Sequence, residues 1–289
     1  MSGRLRFETP TALGYFASLV ADDASLPVLE AAAAVAQHEY PQLDTQEVLA
    51  RIDELAERLR RRVPADAPAL QRLRLLNTYF FHELGFSGNV NDYHDARNSY
   101  LSQVLDTRRG IPITLALLYI ELATQAGLSA AGVSFPGHFL VKLRMPRGDV
   151  IIDPFSGQSL SREQLDERLA PYRQLRGLVG DFEAPLGLFL QPAPARAVVA
   201  RLLRNLKEIF RSGSDWPRLL AIQERLLILL PDEPEELRDR GLVQAELGRL
   251  DLAADDVDAY LAGRPEAPDA AALRRRVAAW RGPGRPRLH

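Results

Sequence analysis

Residues 109–155 constrain the fold more than any other part of the chain. They read RGIPITLALLYIELATQAGLSAAGVSFPGHFLVKLRMPRGDVIIDPF. Pro112 suits the first turn of a helix, where its missing N–H costs nothing, and Gly127 suits the left-handed residue at which a helix ends. Between them leucines recur at helical spacing, and apolar residues fill the other faces as well. The pattern predicts a central helix that meets little water.

After this helix the sequence changes to the period of two that is typical of strands. Apolar residues alternate over 131–135 and 139–143, and a β-branched run follows at 150–152. The sequences PG and PRGD between these segments are typical of turns. We therefore predict an α+β fold, in which a helical N-terminal part leads into a central helix on a small antiparallel sheet.

Two polar residues lie at the ends of these predicted strands and are the candidate catalytic pair. His138 lies near the start of the second predicted strand, and Asp153 lies at the end of the third. A carboxylate beside an imidazole can orient the ring and stabilise its protonated form, as acid–base catalysis requires. Each residue also has a structural interpretation, because a histidine beside a glycine is often only hydrogen-bonded and an aspartate at a strand end can cap a turn.

The order of these features resembles the transglutaminase-like (papain-type) core. The matching pairs are Arg109-Gly110, Gly127-Leu128, His138 with Val141, and Asp153-Pro154. In that family a nucleophilic cysteine begins the central helix. Pro112 stands at that position here, and the chain contains no cysteine at all, which excludes a thiolate mechanism.

A narrower resemblance is to the bacterial SirB-one family, which combines a transglutaminase-like domain with C-terminal tetratricopeptide repeats. The segments that carry it begin at Asn98 (NSYL), Arg109 (RGIPI), Phe135 (FPGHFLV) and Ile152 (IDPFSG). The resemblance covers about residues 40–265. It implies the fold of that family, but it implies no particular reaction.

The C-terminal part carries an internal repeat. Leu230-Pro231 is followed 34 residues later by Arg264-Pro265, and this spacing is the tetratricopeptide period. Residues 171–194 are rich in Gly and Pro without sustained periodicity, which is typical of a domain boundary. We predict a transglutaminase-like domain over residues 1–190, including the N-terminal helices, and an all-α repeat region over residues 191–289.

Three hypotheses about function follow from these residues, and the third, after the two given next, is a regulatory or assembly partner in which the cleft has no function. The first is a non-catalytic transglutaminase-like protein that binds a protein or peptide and acts as a regulatory module. The second is a hydrolase or acyl transferase in which a Ser or Thr hydroxyl replaces the thiol and uses His138 and Asp153. Arg109, with its neighbour Arg108, is a candidate either for binding a phosphate or carboxylate or for pairing with Asp106 or the acids of the loop 85–97. Asn98 and Thr114 are further candidate binding residues.

Composition argues against several other classes. A net charge of −2 and an isoelectric point near 6.3 are untypical of a nucleic-acid-binding protein. No apolar stretch approaches the roughly 20 residues that cross a bilayer, and the N-terminus lacks the apolar core of a signal peptide, so we expect a cytoplasmic protein. The polar loop 85–97 contains Asp92, His94 and Asp95 without the spacing of a metal site. We expect no metal and no cofactor.

Overall fold

The computed structural model describes residues 11–178 and 184–282. This part of the chain forms two compact units, each with its own internal contacts. The first comprises residues 27–36 and the described part of 42–202. The second comprises the described residues up to 26, residues 37–41, and those from 203 onward. The predicted α+β class is confirmed, because helices surround one small antiparallel sheet.

The helices in chain order are α1 (Ala12–Leu19), α2 (Val28–Val35), α3 (Thr45–Arg60), α4 (Ala69–Asn77), α5 (Leu101–Thr107), α6 (Pro112–Gln125), α7 (Arg162–Leu175), α8 (Leu186–Phe189), α9 (Ala195–Ser212), α10 (Trp216–Leu229), α11 (Pro234–Glu246), α12 (Leu250–Gly263) and α13 (Ala270–Arg281). The strands are β1 (Ser87–Gly88), β2 (Arg109–Gly110), β3 (Ser129–Val133), β4 (Leu140–Met145), β5 (Gly148–Asp153) and β6 (Gln158–Leu160). Short 3₁₀ segments cover Ala36–His38 and Ala96–Ser99, and a π-helical turn covers Thr78–Glu83.

Helix α6 is the predicted central helix of the first unit. It begins at Pro112, and Gly127 follows its end with a φ of 79°, in the left-handed region. Arg72 donates a hydrogen bond of 2.8 Å from Nη1 to the carbonyl oxygen of Ala126, which satisfies an acceptor at the helix end. The side chains from position 112 to 119 are buried on every face. The sequence pattern therefore predicted both the bounds and the burial of this helix.

The sheet has the order β3-β4-β5-β6, and every neighbouring pair is antiparallel. The register sets Val141 opposite Ile152 and Val133 opposite Leu140. The three predicted strands are confirmed, and β6 is an addition that is too short to show a period. One face of the sheet packs against α7 through a buried apolar cluster that includes Val133, Phe135, Leu140, Ile151, Leu165 and Leu169.

Two helices differ from the sequence expectation. In residues 70–84 the side chains of Leu73, Leu76, Phe80 and Leu84 recur at helical spacing, which predicts one α-helix. The α-helix ends at Asn77 and the chain continues as the π-helical turn, for which side-chain periodicity carries no signal. Ser161 followed by Gln164 is typical of a capping box and predicts a helix to about Leu169. Helix α7 begins with this capping box. It then continues beyond the expected end near Leu169 and through Pro171 to Leu175, although proline removes one helical hydrogen bond.

The second unit is helical and confirms the predicted repeat. Successive helices α10, α11, α12 and α13 pack against one another, and α1 packs against α10. Gly241 of α11 lies so close to α12 that an added Cβ would come within 2.8 Å of Val257 Cγ2. A buried cluster between the last two helices contains Val257, Tyr260, Leu273 and Val277.

Candidate functional site

Asp153 is the buried anion of the candidate site. It ends β5, and it is only 3% exposed. Its Oδ1 lies 2.8 Å from His138 Nε2 and accepts a hydrogen bond of 3.0 Å from the backbone N–H of Phe155. Its Oδ2 accepts a hydrogen bond of 3.1 Å from Arg168 Nη1. Burial acts to raise the pKa of Asp153, but the hydrogen bond and charge of protonated His138, with hydrogen bonds from the backbone of Phe155 and from Arg168, hold the pKa well below its usual range.

His138 reaches this carboxylate because of the sheet topology. Since β4 and β5 are antiparallel, the start of β4 and the end of β5 lie at the same end of the sheet. The predicted contact between the two side chains is present. His138 itself lies in the turn before β4, where Gly137 takes a φ of 71° and the N–H of His138 donates to the carbonyl oxygen of Phe135 at 3.0 Å. A catalytic role for the pair stays a prediction.

The bond to Asp153 fixes the roles of the two ring nitrogens. An ionised carboxylate only accepts hydrogen bonds, so Nε2 of His138 carries the proton that is shared with Asp153. In the neutral ring Nδ1 is then an acceptor. Within residues 11–178 and 184–282, no side chain other than Asp153 hydrogen-bonds the ring. The His138 side chain is 21% exposed, so Nδ1 can take a donor from a ligand.

Arg201 is a site residue that sequence reasoning missed. It lies in α9, and its Nη1 donates to Ser134 Oγ at 3.1 Å and to the carbonyl oxygen of Phe135 at 3.4 Å. The same carbonyl accepts the N–H of His138, so Arg201 is attached to the turn that carries the histidine. No sequence signal identifies it, because the contact joins residues 66 or more positions apart.

The charge of Arg201 is not neutralised by a carboxylate in the described part of the chain. Burial lowers the pKa of Arg201, while the hydroxyl of Tyr93 acts in the opposite direction. Tyr93 contacts the ring of Phe155 at 5.8 Å between centroids, and Phe155 contacts the His138 ring edge-on at 6.4 Å. Phe155 therefore lies between the His138 ring and Tyr93, and the uncompensated cation of Arg201 is attached to the turn that carries His138.

The three candidate binding residues hold backbone segments in place. Thr114 is fully buried, and its Oγ1 donates to the carbonyl oxygen of Asn98 at 2.8 Å and accepts the N–H of Ile111 at 3.2 Å. Asn98 is 3% exposed, and its Nδ2 donates to the carbonyl oxygen of Asp92 at 2.7 Å. Arg109 Nη1 donates to the carbonyl oxygen of Gly85 at 2.8 Å. These bonds order the polar loop beside α6, and a ligand-binding role for the three residues is untested.

The position of the missing nucleophile is occupied by a buried proline. Pro112 is the first residue of α6 and carries no hydroxyl, thiol or N–H. Thr114 lies two residues further on with its hydroxyl engaged by backbone groups. Ser134 precedes His138 by four residues, and its hydroxyl accepts from Arg201.

Two general features complete the description of the site and the chain. Among the described residues, no group of three or more His, Cys, Asp or Glu side chains is arranged to hold a metal ion. The helices of residues 11–178 and 184–282 also include none with the length and apolar character that crossing a bilayer requires.

The fold and the site define a transglutaminase-like domain joined to helical repeats. The family model described as the transglutaminase-like superfamily matches residues 46–204, and the model described as the tetratricopeptide repeat matches residues 206–278. The combination suggests a protein-interaction module.

Similar proteins place the chain in a particular family within this superfamily. The UPF0162 protein of Xylella fastidiosa (strain 9a5c) is 42% identical over 241 residues, which cover 83% of this chain and 85% of that protein. The UPF0162 protein YchA of Escherichia coli (strain K12) is 28% identical over 245 residues, covering 83% and 87%. Protein SirB1 of Salmonella typhimurium (strain LT2) is 26% identical over 208 residues, covering 72% and 75%. The chain therefore belongs to the SirB-type UPF0162 family of the transglutaminase-like superfamily. No solved structure matches it significantly.

Proposed function

We propose that this protein is a non-catalytic transglutaminase-like protein that binds a protein or peptide and acts as a regulatory module. The observation that carries the proposal is the environment of His138. Its ring bonds Asp153 through Nε2, and in the described chain no Ser or Thr hydroxyl bonds Nδ1. A hydroxyl needs a base within about 3 Å to become a nucleophile, so the arrangement favours binding over acyl transfer.

The exposed side of His138 suits an extended peptide. Nδ1 can accept a backbone N–H, and the rings of Phe155 and Tyr93 offer apolar surface beside it. Arg201 adds a positive charge at the turn that carries His138, so it favours a peptide with a carboxylate nearby. Within this proposal the transglutaminase-like domain, predicted over residues 1–190, supplies the peptide site together with Arg201, and the repeat helices of the predicted region 191–289 supply a second contact with the partner.

The competing hypothesis is a hydrolase or acyl transferase with a Ser or Thr nucleophile. It requires a hydroxyl that moves onto the His138 ring when substrate binds. Ser134 is the nearest such hydroxyl along the chain, and it would have to leave its bond with Arg201. A fluorophosphonate probe labels activated serines, so we expect no His138-dependent labelling of the protein.

Binding of a degenerate peptide library tests the proposal. Octapeptides with free carboxyl ends are selected on the immobilised parent, and the selected peptides are titrated by fluorescence anisotropy. We expect His138→Ala and Arg201→Gln each to weaken binding about tenfold, while His82→Ala, a histidine in the π-helical turn, leaves it unchanged. Selected peptides that bind the first two variants as tightly as the parent would contradict the proposal. Cell fractionation tests the cytoplasmic location that we also propose.

A further inference from the structure

A second candidate site lies in the first unit, on the flank of the central helix. It is a cavity of about 590 Å³, a size that is typical of small-molecule sites. Its walls come from the start of α2, from α3, from the middle of α6, from β3, and from the chain around the start of α9. None of the residues discussed above for the His138 site lines it.

The interior of this cavity is apolar. Leu117, Phe139 and Val198 are buried beneath it, while Leu49 and Ile120 are half-buried. The strand on one side contributes Ala131 and Gly132, and the ring of Phe139 packs directly against Gly132. A Cβ at Gly132 would come within 2.7 Å of that ring. A larger residue at position 132 would therefore displace the Phe139 ring from the cavity wall.

Two carboxylates stand close together on the wall of the cavity. Asp53 of α3 and Glu121 of α6 both line it, and one oxygen of each accepts a hydrogen bond of 2.8 Å from the same nitrogen, Nε2 of Gln125. The amide joins the two acids but carries no charge to offset them. In the part of the chain that the structure describes, neither acid forms an ion pair. Asp53 is exposed and Glu121 is half-buried, and a cation placed between these two like charges would relieve their repulsion beside the apolar wall.

We propose that this cavity binds a small amphipathic amine, whose apolar chain or ring fills the interior and whose ammonium group bridges Asp53 and Glu121. An ammonium group carries three N–H donors, which suits two carboxylate oxygens held side by side. The apolar lining excludes a simple inorganic cation as the preferred occupant, since such an ion would leave most of the volume empty. This site is independent of the proposed peptide site.

The test uses a matched series of probes on the full chain. The compounds are 4-phenylbutylamine, its acid 4-phenylbutanoate, its alcohol 4-phenylbutanol, and butylamine, which keeps the charge and loses the ring. Binding is followed by calorimetry and by the methyl NMR signal of Ile120, which is assigned with Ile120→Val. We expect saturable binding of 4-phenylbutylamine with a shift of the Ile120 signal, and affinities at least about tenfold weaker for the acid and for butylamine.

Variants of the two acids complete the test. We expect Asp53→Asn combined with Glu121→Gln to weaken the amine at least about tenfold and to leave the alcohol unchanged. Glu54→Gln is the matched control, because Glu54 adjoins Asp53 but pairs with Arg58 at 3.5 Å and does not line the cavity. If the double variant fails to fold, Glu121→Gln alone must show the same selective loss.

Several results would overturn the inference. The cavity is no amine site if the amine and the acid bind with equal affinity. The same conclusion follows if amine binding survives the loss of both carboxylates, or if the Ile120 signal does not shift. If N-acetyl-leucyl-lysine amide binds more tightly than 4-phenylbutylamine, the occupant of the cavity is a lysine side chain of a protein partner and not a small amine.

Discussion

At the scale of single residues, Asp153 determines the electrostatics of the candidate site. One buried carboxylate accepts hydrogen bonds from His138, Arg168 and the backbone of Phe155. A buried anion with three donors is stabilised, whereas its partners would be left without an acceptor if the charge were removed. The residue is therefore a structural anchor whether or not the protein has catalytic activity.

Asp153→Asn is expected to lower the free energy of unfolding by about 2–3 kcal/mol, because it leaves His138 and Arg168 without their shared anion. Asp149→Asn on the same strand is the control. Asp149 is 39% exposed and pairs with Lys142 at the surface, so its loss should cost less than about 1 kcal/mol. Urea unfolding measures both, and equal losses would show that Asp153 is not an anchor.

The carboxylate of Asp153 also predicts how the stability of the protein depends on pH. The pKa of Asp153 is lowered in the folded state, so the unfolded chain binds the proton more readily. Its contribution to stability is therefore complete above the ordinary value of 3.8 and is lost as the pH falls below that value. The stability difference between the parent and Asp153→Asn should shrink in that acid range. A difference that stays constant down to about pH 2 would contradict the assignment.

At the scale of helices and strands, the sequence correctly predicted the features that depend on residues close together in the chain. Pro112 and Gly127 bound the central helix, and Ser161 with Gln164 starts α7 as expected. The contact of His138 with Asp153 followed from the order of strands and turns. Arg168 could not be found in this way, although it is as near to Asp153 in sequence as His138 is, because its contact depends on how α7 packs against the sheet. Arg201 could not be found because its partners are 66 or more positions away. The cavity beside α6 depends on the same kind of packing.

The repeat helices allow a packing prediction at this scale. Gly241→Ala is expected to destabilise the protein by about 1–3 kcal/mol, because the new Cβ would lie 2.8 Å from Val257 Cγ2 and 3.0 Å from the backbone oxygen of Ala253. Gly263→Ala is the control, since nothing lies within 4 Å of that Cβ, and it should leave stability unchanged or raise it by up to about 1 kcal/mol, because alanine has the higher helix propensity. Thermal unfolding compares the two, and an unaffected Gly241→Ala would refute the close approach of α11 and α12.

At the scale of the whole molecule, the chain joins a transglutaminase-like domain to tetratricopeptide repeats without a cysteine anywhere. The sequence predicted this organisation because each part has a local signature: the strand-borne His138 and Asp153 in one, and the 34-residue period in the other. It could not identify a ligand, because ligand recognition depends on side chains that converge from separate elements.

His38 predicts how stability as a whole responds to mild acid. Burial lowers the pKa of His38 to about 4, and the positive charge of Arg225 adds to the effect. The unfolded chain therefore binds more protons between about pH 6.5 and 4, so stability falls as the pH drops through this range, by at most about 3 kcal/mol. Denaturant titrations should show a flatter profile for His38→Gln than for the parent and no change for the exposed His94→Gln. Identical profiles for all three would refute this assignment.

The most direct test of binding without catalysis is the fate of a bound peptide. The parent protein is incubated with a peptide selected from the library, and mass spectrometry records the masses of both molecules over many hours. We expect the peptide to be uncleaved and the protein to be unmodified. A cleaved peptide, or an acyl adduct on a Ser or Thr of the protein, that disappears in His138→Ala would contradict the account and establish a hydroxyl-based enzyme.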